Sequence, residues 1–198
     1  LESDFQVACD VNNPLTGPEG ASAVYGPQKG ATKENIRQLD SALSVLAEVT
    51  KRELGKDISN LEGAGAAGGL GAGMVAFVEG HLRAGVDIVL DTVNFAEKLK
   101  AADLVITGEG SMDFQTVYNK APIGVARMAR EKGIPTIGIS GMLGENYQIV
   151  HDHGIDAALS IANGPISLEK ASQNAPTLIS ETVEESLRLI SVGMRLKD

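Results

Sequence analysis

The sequence predicts an α/β fold in which mostly parallel sheet layers are flanked by helices. Apolar segments such as DLVIT (103–107) and IPTIGIS (134–140) alternate with segments of helical period, the pattern of strands joined by crossover helices. These strands are continuously apolar, as expected where both faces of a sheet are covered. Glycine-marked loops follow Thr107, Ser140 and Ile161, at the carboxyl ends of strands. Open α/β sheets bind ligands there, near a change in strand order.

From the amino end, FQVACDV (5–11) predicts a short strand, and NNPLTGPEG (12–20) is a loop dense in Asn, Pro and Gly. Thr32 is placed as a helix N-cap, with Glu34 in the amide-rich first turn. Ile36, Leu39, Leu43, Leu46 and Val49 or Thr50 recur at steps of three and four. They form one apolar stripe on a helix reaching about residue 52, with Gly55 ending the turn after it. GAGAAGGLGAG (63–73) has glycine at six of eleven positions, a costly composition for an isolated helix. Either backbone packs against backbone there, or the loop approaches a ligand. MVAFVEGHLRAG (74–85) predicts a helix despite Gly80.

VDIVLDTV (86–93) fits either a buried strand or a short helix, and Asn94 with Glu97 resembles a capping box that opens FAEKLKAA. The strand DLVIT is closed by a sharp Gly108–Glu109–Gly110 turn, and a helix covers about 122–132. IPTIGIS is closed by Gly141, a helix follows around 147–153, and DAALSI (156–161) is the next strand. After NGP, SLEKA and TLISETVEESLRLISVGMRL form C-terminal helices. A domain boundary near Gly85 separates 1–85, which holds the glycine-rich segment, from the more regular βαβ half at 86–198.

Composition narrows the function classes. The 198 residues suffice for one well-buried domain or pieces of two. Seventeen basic and 26 acidic side chains give a net charge of -9, a poor match to nucleic acid, which needs concentrated positive charge. A small anionic substrate is still compatible, because one lysine and a few backbone amides can hold it locally. Cys9 is the single cysteine, so neither an intrachain disulfide nor a cysteine zinc cluster can form. In FQVAC it fits a small buried hydrophobe, and the usage suits a reducing cytoplasm. No signal-peptide pattern opens the chain, and no apolar stretch approaches the ~18 residues that a membrane helix requires. Beginning Leu1-Glu2-Ser3-Asp4 rather than with methionine, it is compatible with a processed product or a piece of a longer protein.

Chemistry concentrates in a few places. Gly63, Gly65 and Gly68 match GxGxxG, but KDISNLE before them does not predict a strand and no GK[ST] follows. Structural glycine packing is the stronger reading of that match taken alone. ITGEGSMDFQTVYNKAP is more informative, with Glu109, Asp113, Gln115, Thr116 and Lys120 between a strand end and a helix. Glycines let amides face an anion, carboxylates can hold Mg²⁺ with its waters, and Lys120 can offset charge on a phosphoryl group. An ordinary solvated βα loop is the equal alternative. Asp10, beside Asn12 and Asn13, fits metal binding, hydroxyl orientation or capping of the next turn. Lys29 in YGPQKGA fits either an anion contact or a surface lysine. His81, His151 and His153 make no metal set, and no G-x-S-x-G elbow supports a serine hydrolase.

Three ordered blocks, VACDVNNPLTGPEGASAVYGPQKGAT, EGAGAAGGLGAG and DLVITGEGSMDFQTVYNKAPIGVA, resemble the bacterial glycerate kinases. The resemblance spreads over residues 7–126 and implies the C-terminal half of such a protein. It also implies portions of a two-domain fold with the active site in a cleft. The implied reaction transfers the γ-phosphate of ATP, with Mg²⁺, to D-glycerate or a similar small hydroxy acid, giving 2- or 3-phosphoglycerate. Asp10, Asp113 and Lys120 are then the candidate catalytic residues, with Asp10 and Asp113 on the metal. Lys29, Gly63, Gly65, Gly68, Gly69, Gly108, Glu109 and Gly110 are the candidate nucleotide contacts. The DSFKG-like and GGSATNDGG-like segments are missing, so the N-terminal half is an implied partner and the fragment alone is expected to be inactive.

The family commonly has GEGRIDSQT and a glycine before the lysine. Here Ser111, Phe114 and Asn119 stand at the arginine, serine and glycine positions. Losing the arginine removes a bidentate donor for carboxylate or phosphate and loosens the inference about substrate. A nucleotide-dependent oxidoreductase over Gly63–Gly68 and a non-catalytic binding or structural fragment are the alternatives. Membrane and nucleic-acid partners are not expected, and a homo-oligomer remains open.

Overall fold

The computed structural model describes residues 2–118 and 120–196, so the Asn119 substitution lies outside the described residues. The chain has an α/β fold of parallel strands flanked by helices. It divides into two compact units, Leu1–Val89 and Leu90–Asp198. No helix among the described residues is long and apolar enough to cross a membrane.

In the first unit, β1 (Gln6–Ala8) pairs in parallel with a strand at His81–Arg83, in the register Gln6↔His81 to Ala8↔Arg83. Between them come α1 (Ala21–Tyr25), α2 (Lys33–Leu54) and α3 (Leu70–Val78). Thr32 caps α2 as the sequence predicts, and the box closes through Asn35, whose amide donates to Thr32 Oγ1 at 3.2 Å. Gly55 ends the helix at φ 70°, a left-handed conformation that glycine adopts without a Cβ penalty. Leu15, Ala47, Ile58, Ala64, Ala72 and Ala76 form the core, with Leu43 and Val75 against it. The predicted helix through Gly80 is not formed. Glu79 turns left-handed and the Gly80 amide donates back to Met74 O, closing a Schellman-type end before β2 (His81–Arg83). The ambiguous 86–93 segment is helical, as α4 (Gly85–Thr92). Cys9 is half-buried, its Sγ 3.2 Å from Val11 O and 3.7 Å from Gly63 O.

The second unit opens with α5 (Phe95–Leu99), whose cap Asn94 is left-handed and makes no side-chain capping bond, contrary to the predicted capping box. Three parallel strands follow, β3 (Val105–Met112), β4 (Thr136–Leu143) and β5 (Ala157–Ser160), side by side in that order. α6 (Ala121–Glu131) links β3 to β4, and α7 (Leu168–Gln173) and α8 (Ala175–Arg195) close the chain. Met112, Ile123, Ala126, Val150 and Ile155 form one core cluster. Ile137, Ile139, Ile161 and Leu178 form another, with Val183 against it. Residues of α6 and α8 thus enter separate clusters with the strands, which suits the continuously buried run 136–140 of β4, whereas β3 alternates and leaves Ile106 exposed.

Two predicted turns are corrected. Gly108, Glu109 and Gly110 lie inside β3, and Gly141 lies inside β4. These glycines bring strands together rather than reverse the chain. A Cβ at Gly108 would collide with the Ile139 carbonyl oxygen, and one at Gly141 would lie 2.6 Å from Gly110 O.

Candidate functional site

The polar centre of the second unit is built at the carboxyl end of β3. Parallel pairing carries β3 past Gly110 to Met112, and Gly144 N donates to Met112 O at 2.8 Å, which ends the strand beside the chain leaving β4. Asp113 then caps a 3-10 turn, Phe114–Val117. Its Oδ1 accepts the Gln115 amide at 2.8 Å, while its own amide donates to Thr116 Oγ1 at 2.9 Å. The Thr116 hydroxyl donates to Glu109 Oε1 at 2.5 Å. The other Glu109 oxygen, Oε2, lies 3.4 Å from Lys120 Nζ, at the residue that precedes α6. Pro122 in the first turn of α6 lacks an amide hydrogen that this end of a helix would leave unpaired.

Burial sets the character of this group. The Glu109 side chain is 16% exposed and that of Lys120 is 38% exposed, so the pair is partly screened from water. Thr116 is fully buried. One cation, one carboxylate and one hydroxyl therefore stand in a fixed chain beside Asp113. That arrangement can hold an anion at the lysine while keeping the lysine from collapsing onto the protein surface.

Other predicted site residues lie in the first unit. Asp10 is exposed, and its Oδ1 accepts the Gly85 amide at 2.8 Å, so one oxygen serves the start of α4. Lys29 is exposed at the end of a 3-10 turn, Pro27–Lys29. The glycine-rich segment is mainly packed backbone. Gly65 N donates to Asn13 O, Gly68 N to Gly65 O and Gly69 N to Ala66 O. A Cβ at Gly65 would collide with Pro14 O, and one at Gly63 would lie 2.7 Å from Cys9 Sγ. Gly63, Gly68 and Gly69 all have positive φ.

The sequence placed Thr116 in the chemistry-bearing segment without a role for it, and gave no sign of the Asn13–Tyr25 pair. Tyr25 donates its hydroxyl to Asn13 Oδ1 at 2.6 Å, and Asn13 Nδ2 donates to Glu19 O at 2.9 Å, pinning the loop that carries Pro14 and Leu15. The spacing of Asp113 and Thr116 as N-cap and third helical position was the available signal for the threonine. Asp57 is the acid held well below its ordinary value, at about 2, first by a hydrogen bond from Lys51 and then by Ser59. It is exposed and belongs to a surface ion pair rather than to this group. Among the described residues, no three or more His, Cys, Asp or Glu side chains are grouped to hold a metal.

The family model described as the glycerate kinase family matches residues 1–191. The chain is 52% identical over 188 residues to a glycerate kinase of Halalkalibacterium halodurans, covering 95% of this chain and 48% of that protein. It is 47% identical to a glycerate kinase of Bacillus subtilis, covering 97% of this chain and 49% of that protein. It is 44% identical to the glycerate 2-kinase of Escherichia coli, covering 96% and 50% respectively. A crystal structure assigned as a glycerate kinase 2 from Salmonella typhimurium superimposes with a TM-score of 0.79 at 45% identity, over 97% of this chain and 50% of that one. The chain thus spans about half the length of the curated relatives it matches.

Proposed function

This chain belongs to the glycerate kinase family, and on that premise we propose that it carries part of the site that phosphorylates D-glycerate from ATP. The observation that supports this most is the chain of contacts Lys120–Glu109–Thr116–Asp113 at the end of β3. Phosphoryl transfer depends on aligned oxygens and compensated charge more than on covalent participation by the protein. A glycerate hydroxyl oxygen bonds to the γ-phosphorus, the bond from phosphorus to the ADP oxygen breaks, and the hydroxyl proton passes to solvent water. The product is 2- or 3-phosphoglycerate.

Lys120 supplies positive charge to a phosphate or to the glycerate carboxylate. Glu109 holds the ammonium in place from 3.4 Å. Asp113 and Asp10 each commit one oxygen to a backbone amide, and their second oxygens are the proposed metal-side or hydroxyl-orienting groups. Mg²⁺ is commonly held by one or two carboxylates together with substrate phosphates and water. The free oxygen of either aspartate suits one such carboxylate position, whereas an all-protein cage does not match the described residues. When bound, Mg²⁺ would offset charge on the phosphate oxygens.

Lys29 is the proposed further phosphate contact, favoured by its exposure. Because the amides of Gly65, Gly68 and Gly69 are committed to carbonyls, Gly63 to Gly69 would serve a nucleotide by close backbone approach. Gly108 and Gly110 would do the same from within β3. The proposed domain division remains near Gly85, and the portion matching the other half of the relatives would complete the enzyme. A cytoplasmic setting suits the lone thiol of Cys9. A dinucleotide oxidoreductase is the weaker reading, because among the described residues no strand leads directly into Gly63 and the amides of Gly65, Gly68 and Gly69 are engaged.

The test is kinetic. In the full-length enzyme, Asp113→Asn is expected to lower kcat and change the Mg²⁺ dependence, while unchanged values of both would remove Asp113 from this role.

A further inference from the structure

Thr116 has no exposed surface, yet both of its side-chain hydrogen bonds run to residues that carry the proposed chemistry. Its oxygen accepts the Asp113 amide at 2.9 Å, and its hydroxyl donates to Glu109 at 2.5 Å. A hydroxyl has one proton to give, and an amide N–H can only donate. The Thr116 proton is therefore committed to the Glu109 carboxylate, and the direction of the relay is fixed by the partners. Glu109 spends its second oxygen on Lys120. The hydroxyl thereby joins the backbone that presents Asp113 to the carboxylate that presents Lys120.

We propose that Thr116 is a positioning residue for phosphoryl transfer, acting through Glu109 on the Lys120 ammonium and through the Asp113 amide on the neighbouring carboxylate. This rests on the kinase function proposed above and adds to it a residue that does not itself touch substrate. The methyl group of Thr116 is available for packing, but packing alone does not require a hydroxyl. Thr116→Val preserves volume and removes the hydroxyl, whereas Thr116→Ser preserves the hydroxyl and deletes the methyl. The two substitutions separate positioning from packing.

The experiment measures kcat, KM for D-glycerate and Tm for both variants in the full-length enzyme, with ATP and Mg²⁺ saturating. Thr116→Val is expected to lose about 100-fold in kcat, the scale of a small misplacement at a reacting centre, with KM nearly unchanged. Thr116→Ser is expected to retain most of kcat. Wild-type kcat in Thr116→Val, or equal losses in Val and Ser that follow Tm, would overturn the proposal. If Thr116→Val does not fold, Thr116→Ser against Thr116→Ala makes the same comparison, and equal activity in that pair overturns it. Lys120→Met, measured alongside, separates the two possible failures. If it is inactive while Thr116→Val is fully active, only the role of Thr116 falls. If it is fully active, the kinase site itself falls.

Discussion

At the scale of single residues, what matters is which polar atoms are already occupied. Lys120 meets one carboxylate oxygen at 3.4 Å and is 38% exposed, so it keeps donors for an incoming anion. Lys120→Met is expected to lower kcat by about 100-fold or more, the usual cost of removing a donor at developing charge, as measured by steady-state turnover of the full-length enzyme. Asp57 gives a contrasting prediction. Its carboxyl is held at about 2, below the ordinary 3.8, chiefly by the Lys51 hydrogen bond. Depression of a carboxyl favours the ionised, folded form. That contribution is therefore present above pH 3.8 and is lost as pH falls through about 2. Both partners are exposed, so its weight in stability is small. A carboxyl NMR titration should show a midpoint near 2 that rises towards 3.8 in Lys51→Met; a wild-type midpoint already near 3.8 would contradict the pairing. That Glu109, Asp113 and Lys120 come near one another was legible in sequence because the end of β3 and its connection to α6 carry all three. The partner of Asp10 was not, because Gly85 lies 75 positions away.

At the scale of elements, helix signals survived folding better than glycine signals. α2 starts and stops where Thr32 and Gly55 predict, because a cap and a left-handed terminus are local chemistry. Thr32→Ala should destabilise the fold by about 1 kcal/mol, as read from chemical denaturation. The GEG and Gly141 segments misled the sequence analysis because glycine serves turns and close strand approaches alike. Only the register shows that Gly108 faces Ile139 across the ladder. Gly141→Ala would bring a Cβ to 2.6 Å from Gly110 O. It should cost about 1–3 kcal/mol in unfolding free energy, as overpacking does; a neutral result would show that β3 and β4 can separate without strain. Asn94 likewise had the letters of a capping box without its geometry.

At the scale of the molecule, the fold class was visible because alternating strands and helices leave few architectures that bury both faces. Sheet extent was not visible. The first unit has a two-stranded parallel sheet of three residues per strand, and so small a sheet depends on its surroundings for stability. With half the length of its relatives, the chain alone is expected to show no D-glycerate-dependent ATP turnover, and addition of the remaining portion is expected to restore it. The most direct measurement is phosphorus NMR of full-length enzyme with ATP, Mg²⁺ and D-glycerate, run for wild type and Lys120→Met. The account predicts a phosphoglycerate resonance growing in step with ADP in the wild type and nearly absent in the variant. Unchanged ATP in the wild type, or phosphoglycerate formed at the wild-type rate by Lys120→Met, would contradict it.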